Sequence, residues 1–529
     1  MNAGRKYIFL PLVFALLLVS GIYIGYRYSF LNKRRAQPGS DGKIEHLLSY
    51  IQKRYVDTVN QVQLEDKTLN SILQNLDPHS SYVTAKEAKA MNEPLQGNFG
   101  GIGIEFNIIK DTIRVISAIS GGPSEALGIQ AGDAIVKIEG KSQTGIKISN
   151  QQVIEKLRGE KGTKVSITIW RRTAKKLIPF TITRGEIPIF SVDASYMVNK
   201  KAGYVKISRF GATTYDEFMK AFHELTDKGM TTLILDLRGN PGGYLNAAIQ
   251  ISDEFLGAGK EIVHTQGRNE PKKIHWATSK GECEKDKLIL LLDEGSASAS
   301  EIVAGAVQDN DRGTIVGRRS FGKGLVQEEK EFEDGSAVRL TIARYYTPTG
   351  RCIQKSYNEG LEAYYNEELE RYKNGELQNA DSVKFIDSLK FKTPAGKIVY
   401  GGGGIMPDVF VPLDTAGHSS YLNEVSYAGI INQFTFDYAD RNRSALKNYG
   451  SFEKYNSSFL VDSQILEGFF GFAEKSGIKR KDADIKKSTA ILKVQLKALI
   501  ARNIWGNAGY FPIIHSIDNT YLRAVQLSD

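Results

Sequence analysis

Residues 7–26 carry no charged side chain, and Arg5 and Lys6 stand immediately before them. Twenty such residues in a helix rise about 30 Å, the thickness of a bilayer core. A cleaved signal peptide would have a shorter apolar region and a small-x-small site; Ser20-Gly21 is a poor one, because apolar residues run on to Ile24. The pattern predicts an uncleaved membrane anchor over 1–30, a polar linker over 31–43, and export of everything that follows. From 44 to 96 the apolar positions Ile44, Leu47, Leu48, Ile51 and Tyr55 recur at helical spacing, which predicts a small helical domain broken by a turn at Asp77-Pro-His-Ser80.

At Gly97 the period changes. Residues 113–116, 134–138 and 165–170 alternate or run apolar like short strands, glycine turns separate them, and 149–157 place Val153, Ile154 and Leu157 on one helical face. This predicts a small β-domain over 97–185. Over 186–413, strand-like runs at 204–207, 232–237, 287–292 and 314–316 alternate with helical patterns at 214–228 and 244–256. Such alternation predicts an α/β core whose mixed sheet has helices packed on its faces. Residues 355–395 resemble a helical insertion, and 414–529 are helical by pattern with no legible motif. The fold class is therefore multidomain α+β: a transmembrane helix, a helical domain, a β-domain, an α/β core and a helical C-terminal region.

Composition narrows this only a little. The 529 residues suggest about three or four domains. The net charge of +9 comes from mixed acids and bases, with no nucleic-acid motif to give it meaning. Cys283 and Cys352 could pair outside the cytoplasm, but nothing in the spacing brings them together.

The chemistry concentrates in Gly295-Ser-Ala-Ser-Ala-Ser-Glu301 and Ser320-Phe-Gly-Lys-Gly-Leu-Val-Gln327. A serine hydroxyl becomes a strong nucleophile when a base takes its proton, and a neutral lysine can be that base. Bringing a lysine from its free pKa of about 10.4 to the neutral range costs about 4 kcal/mol, which burial beside Phe321, Leu325 and Val326 could supply. Chemistry alone leaves Ser296, Ser298 and Ser300 as rivals. Gly317-Arg-Arg-Ser-Phe-Gly-Lys323 imitates a phosphate loop, but Gly324 stands where Mg²⁺ binding needs Ser or Thr, so no nucleotide is expected. His264 and His275 sit in no catalytic motif, and the scattered histidines have no metal-ligand spacing, so neither a metal nor another cofactor is expected.

The motifs Leu76-Asp-Pro-His-Ser-Ser-Tyr82, Phe99-Gly-Gly-Ile-Gly-Ile104, Asp236-Leu-Arg-Gly-Asn-Pro-Gly-Gly243, Gly295 to Glu301, Phe321 to Gln327 and Gly403-Gly-Ile-Met-Pro-Asp408 occur in the order seen in carboxy-terminal processing proteases. The chain resembles that family over about 44–411. The resemblance implies a serine endopeptidase with Ser298 as nucleophile, Lys323 as base, Gln327 as its assistant, and an oxyanion hole at Gly243 and Ala299. It makes 97–185 a PDZ-like domain, with Gly101, Ile102, Gly103 and Ile104 receiving a peptide's terminal carboxylate. The implied partners are proteins with free C-terminal tails, in the cell envelope on the periplasmic side of the cytoplasmic membrane, with a homo-oligomer or an adaptor as a further partner class. The rival readings are a non-catalytic PDZ adaptor and an envelope scaffold built on the same fold.

Overall fold

A computed structural model of the chain describes residues 10–33 and 42–529. It divides into two compact units, one ending at Leu76 and the other running from Asp77 to Asp529. The division falls inside the helical segment 44–96. The first unit contains the helices Leu10–Lys33, Lys43–Arg54 and Gln61–Gln74, the last capped by the Asn60 side chain, which accepts from the Gln63 amide at 3.2 Å.

Among the described residues no helix is long and apolar enough to cross a membrane, so the transmembrane span expected over 7–26 is not found. Residues 7–9 lie outside the described residues. The helix that starts at Leu10 meets Arg27 before the roughly 20 apolar positions a span requires.

In the second unit, residues 98–188 form the expected β-domain. Strands Ile104–Ile108, Ile113–Ala118, Ala134–Ile138, Lys164–Arg171 and Lys176–Thr183 follow one another in an antiparallel sheet. The helix Asn150–Leu157 closes it, begun by a Ser149/Gln152 capping box. Every second strand residue points inward, so Ile113, Ile135, Ile169 and Ile182 meet Val153 in a dry core. Strands Asn98–Gly101 and Gly185–Pro188 pair antiparallel and clasp the domain at its neck.

The main sheet runs Val192–Met197, Ala202–Ile207, Thr232–Asp236, Lys287–Leu292, Thr314–Gly317 and Val409–Phe410, parallel except for its first, edge strand. A parallel sheet must be covered on both faces. Val205, Leu233, Leu235, Leu288 and Leu290 turn to the helices Thr214–Thr226, Leu245–Phe255 and Ala299–Asp309. Their alternates Tyr204, Ile234, Ile289 and Leu291 turn to Tyr521 and Ala524 on the helix Asn519–Ser528. The C-terminal helical region, which also has its own core around Phe434, Tyr455, Phe469 and Leu496, therefore supplies the sheet's second cover.

A second sheet carries side chains that matter below. Its long strand Ala337–Tyr346 pairs with Ser81–Val83, Glu261–Gln266 and Leu325–Glu331. The cysteines are both free, Cys283 being buried and Cys352 half-buried.

Tyr521 stacks on His515 at 4.1 Å and meets Tyr204 edge-on at 5.5 Å. Tyr521→Ala should cost about 3 kcal/mol, read as a fall in the melting temperature of the second unit. An unchanged melting temperature would mean that the C-terminal helix does not cover the sheet.

Candidate active site

The strand Lys287–Leu292 ends in a turn that holds Ser296 and Ser298, and the helix Ala299–Asp309 that starts from it carries Ser300 in its first turn. Ser296 is buried and its hydroxyl donates to the Leu237 carbonyl at 2.9 Å; Ser300 is buried and donates to the Asn240 carbonyl at 3.0 Å. Both stitch the turn to the 237–243 loop. Ser298 lies between them with φ 54° and ψ −112°, outside the ordinary regions for a side-chain-bearing residue. It lines a cleft of about 840 Å³. Strain of this kind costs about 1–3 kcal/mol and persists where the surroundings over-determine it.

The surroundings here are one carboxylate and two glycines. Glu301 is fully buried; its Oε2 accepts the amides of Ser298 at 2.8 Å and Lys323 at 2.9 Å, and its Oε1 accepts the Gly322 amide at 2.7 Å and the Ser320 hydroxyl at 2.6 Å. Burial pushes its carboxyl up, to about 7, against the pull of these four donors. Because Ser298 and Lys323 bond the same oxygen, their backbone nitrogens are no further apart than those two bonds together. Tyr345, also buried, joins the same two residues from the other side, its hydroxyl donating to the carbonyls of Ser298 and Lys323. Opposite, Gly242 packs on the nucleophile so closely that a Cβ there would stand 2.7 Å from Ser298 Cβ, and a Cβ on Gly243 would stand 2.1 Å from the Phe210 carbonyl oxygen.

The oxyanion candidates Gly243 and Ala299 both line the cleft with Ser298. Ala299 is the first residue of its helix, where amides have no intrahelical acceptor. The turn leading to Gly243 is braced at its root. Burial works against the Asp236 charge, but Arg238 and Lys206 hold its carboxyl well below the usual range. Arg238 donates to Asp236 at 2.7 Å and also reaches Asp518, 2.8 Å away, at the start of the C-terminal helix.

Lys323 sits between Gly322 and Gly324 and lines the cleft beside Leu325, Val326 and Ile302. Burial lowers its pKa first and the Arg339 charge second, against the opposing charges of Glu301 and Asp77. His79, whose ring nitrogen bonds the Tyr364 hydroxyl at 2.8 Å, is held neutral by burial and by Lys323, down to about 4. Gln327 lines the same cleft. Its spacing of four from Lys323 is not helical: residues 325–331 form a strand, and Gln327 stands at a bulge. That strand also removes the helix a phosphate loop would need after Lys323. The Gln327 side chain donates from Nε2 to Thr341 Oγ1 at 3.3 Å.

In the β-domain, Ile102, Gly103 and Ile104 line a groove of about 350 Å³ with Phe106, Ile154 and Leu157. Gly101 lies in the neck ladder opposite Gly185. Sequence reading missed Tyr345, Arg339 and Thr341, which share a strand with no motif. It passed over Glu301, although Ser298-x-x-Glu301 is a capping-box spacing.

A strained serine and a half-buried lysine pinned to one carboxylate, with an apolar groove in the neighbouring domain, define a serine peptidase with a PDZ domain. Residues 201–363 match the model of peptidase family S41, 114–171 match that of the PDZ domain, and 421–506 match a family of unknown function. The carboxy-terminal-processing protease of Bartonella bacilliformis is 39% identical over 309 residues, 58% of this chain and 70% of that one. The carboxy-terminal processing protease CtpA of Bacillus subtilis is 33% identical over 359 residues, 67% of this chain and 76% of that one. Among solved structures, the photosystem II D1 C-terminal processing protease matches at 23% identity over 71% of this chain and 94% of that one, with a TM-score of 0.35. The chain belongs to the carboxy-terminal processing protease family.

Arg339 is the cation that works with burial on Lys323. Arg339→Met removes it and leaves its partner Glu329, 2.6 Å away, as an unpaired negative charge, so both changes favour the protonated amine. The pKa of Lys323 should rise, moving its reaction with an amine-selective acylating reagent to higher pH. An unmoved profile would show that Arg339 does not act on the lysine.

Proposed function

We propose that the protein is an endopeptidase that captures the free C-terminal tails of envelope proteins on its PDZ domain and cleaves them with Ser298 and Lys323 through an acyl-enzyme. One observation carries the reading: of Ser296, Ser298 and Ser300, Ser298 alone opens to the cleft that Lys323 also lines.

The neutral Lys323 amine takes the Ser298 hydroxyl proton as the oxygen attacks the peptide carbonyl. The carbonyl oxygen becomes an oxyanion held by the amides of Gly243 and Ala299, each such donor being worth about 10²–10³ in rate. The lysine ammonium returns the proton to the leaving amine, and the acyl-enzyme remains. Water then repeats the sequence, Lys323 again acting as base, and releases the acid. Gln327 holds the lysine amine in line. The PDZ groove, walled by Ile102, Ile104, Phe106, Ile154 and Leu157, favours tails ending in apolar residues, whose carboxylate meets the 101–104 loop.

The catalytic unit works on the extracytoplasmic side of the cytoplasmic membrane. The support is the uncharged run 7–26 behind Arg5 and Lys6, which has the pattern of an export segment. In spheroplasts, externally added protease should digest the catalytic unit; protection until lysis would overturn this location.

Ser298→Ala should lower cleavage of an unfolded protein with an apolar C-terminus by about 10⁴-fold or more and leave tail binding intact, with EDTA present and ATP absent. Ser296→Ala and Ser300→Ala should remain active and lose about 1 kcal/mol of stability each. Cleavage surviving in Ser298→Ala would sink the assignment. Tail binding without cleavage in the wild type would favour a non-catalytic adaptor.

A further inference from the structure

Beyond the charges they bring to bear on Lys323, the turn at Asp77-Pro-His-Ser80 and the strand Ala337–Tyr346 share a further contact. They meet in a small polar cluster. Asp77, 8% exposed, accepts on Oδ1 the amides of His79 at 2.8 Å and Ser80 at 2.9 Å and the Thr341 hydroxyl at 3.0 Å. Its Oδ2 accepts the Ser80 hydroxyl at 2.5 Å, and Ser80 Oγ accepts the Thr341 amide at 3.1 Å. Thr341 Oγ1 is in turn the acceptor for Gln327 Nε2 at 3.3 Å.

The direction of these bonds is forced by what each group can give. Burial works to raise the Asp77 carboxyl, but its donors hold it below the ordinary range, so it is an ionised group with no proton to offer. The single hydroxyl proton of Thr341 is therefore committed to Asp77, and its oxygen has only lone pairs left. Only the NH₂ end of an amide can face such an oxygen. Gln327 is held in one of its two flips, with Oε1 as its unspent acceptor. The bulge in the ladder makes this meeting happen: Val326 pairs with Ala343 and Gln327 with Thr341, so Ile342 is skipped.

The flip matters to the base. A neutral amine has two N–H donors and one lone pair. A glutamine oxygen beside it takes an N–H and leaves the lone pair for the serine proton. A glutamine NH₂ in the same place would bond the lone pair and compete with Ser298. We propose that Asp77 and Thr341 are positioning residues that lock the Gln327 amide oxygen-first towards Lys323, keeping the lysine lone pair free for Ser298. The inference rests on the reading of Gln327 as the partner of the lysine amine.

The test is a double-mutant cycle in the full chain, with kcat and KM measured for Thr341→Val, Gln327→Ala and the pair, beside Thr341→Ser. Thr341→Val should lower kcat about 10-fold with KM within two-fold, and Thr341→Ser should restore it. In the Gln327→Ala background Thr341→Val should have no further effect on kcat, because there is no amide left to orient. Additive losses, a loss confined to KM, or a serine variant as slow as the valine one would each overturn the inference and leave Gln327 in its role. Full activity in Gln327→Ala would instead remove the underlying reading, and the inference with it. Should Thr341→Val fail to fold, Thr341→Ala takes its place in the cycle with the same outcomes.

Discussion

The site depends on one buried carboxylate. Glu301 gathers the amides of Ser298, Gly322 and Lys323 and the hydroxyl of Ser320, so a nucleophile on a helix-initiating turn and a base on a separate loop become one rigid body. Burying a charge costs several kcal/mol unless donors surround it, and here every donor comes from the two segments that must be held together. The same requirement explains why the nucleophile can keep a strained backbone. It is fixed from below by Glu301, from one side by Tyr345 and from the other by the contact with Gly242. Relaxing any one of these moves the hydroxyl.

The electrostatics around the base then follow from its neighbours. Burial and Arg339 act against the ammonium, Glu301 and Asp77 act for it, and the balance leaves Lys323 lowered. A lysine surrounded only by apolar groups would be lowered further, but it would lose the contacts that fix its backbone. The two needs, a fixed amine and a neutral one, are met by different partners: carboxylates hold the main chain and the loops, and a cation opposes the charge at the tip.

Much of this was legible in the sequence, and for identifiable reasons. The strand-like runs at 204–207, 232–237 and 287–292 became core strands within a residue or two, because burial on both faces makes them continuous and apolar. The helix expected over 149–157 from its apolar face spans Asn150–Leu157, with Ser149 as its cap. Ser298 could not be chosen over Ser296 and Ser300 by chemistry, since the distinction is burial: Leu237 and Asn240 take the two rivals out of play. The Lys323-to-Gln327 spacing hid a strand with a bulge. Arg339, Thr341 and Tyr345 gave no signal, because alternate residues on an exposed-looking strand are ordinary until another segment folds over them. The apolar N-terminal run suggested a span that the described helix does not provide, Arg27 interrupting it. The helices after 414 were visible as helices, but nothing local announces that Tyr521 and Ala524 will cover a sheet.

That last arrangement has a bearing on timing. Arg238 finds its second carboxylate, Asp518, 280 positions further along the chain. While the chain is still being made, the turn that carries Gly243 has the local Asp236–Arg238 pair but lacks its Asp518 arm, and the sheet has a bare apolar face. For a peptidase this order leaves the sheet that carries the nucleophile half-covered until long after its serine and lysine have been made.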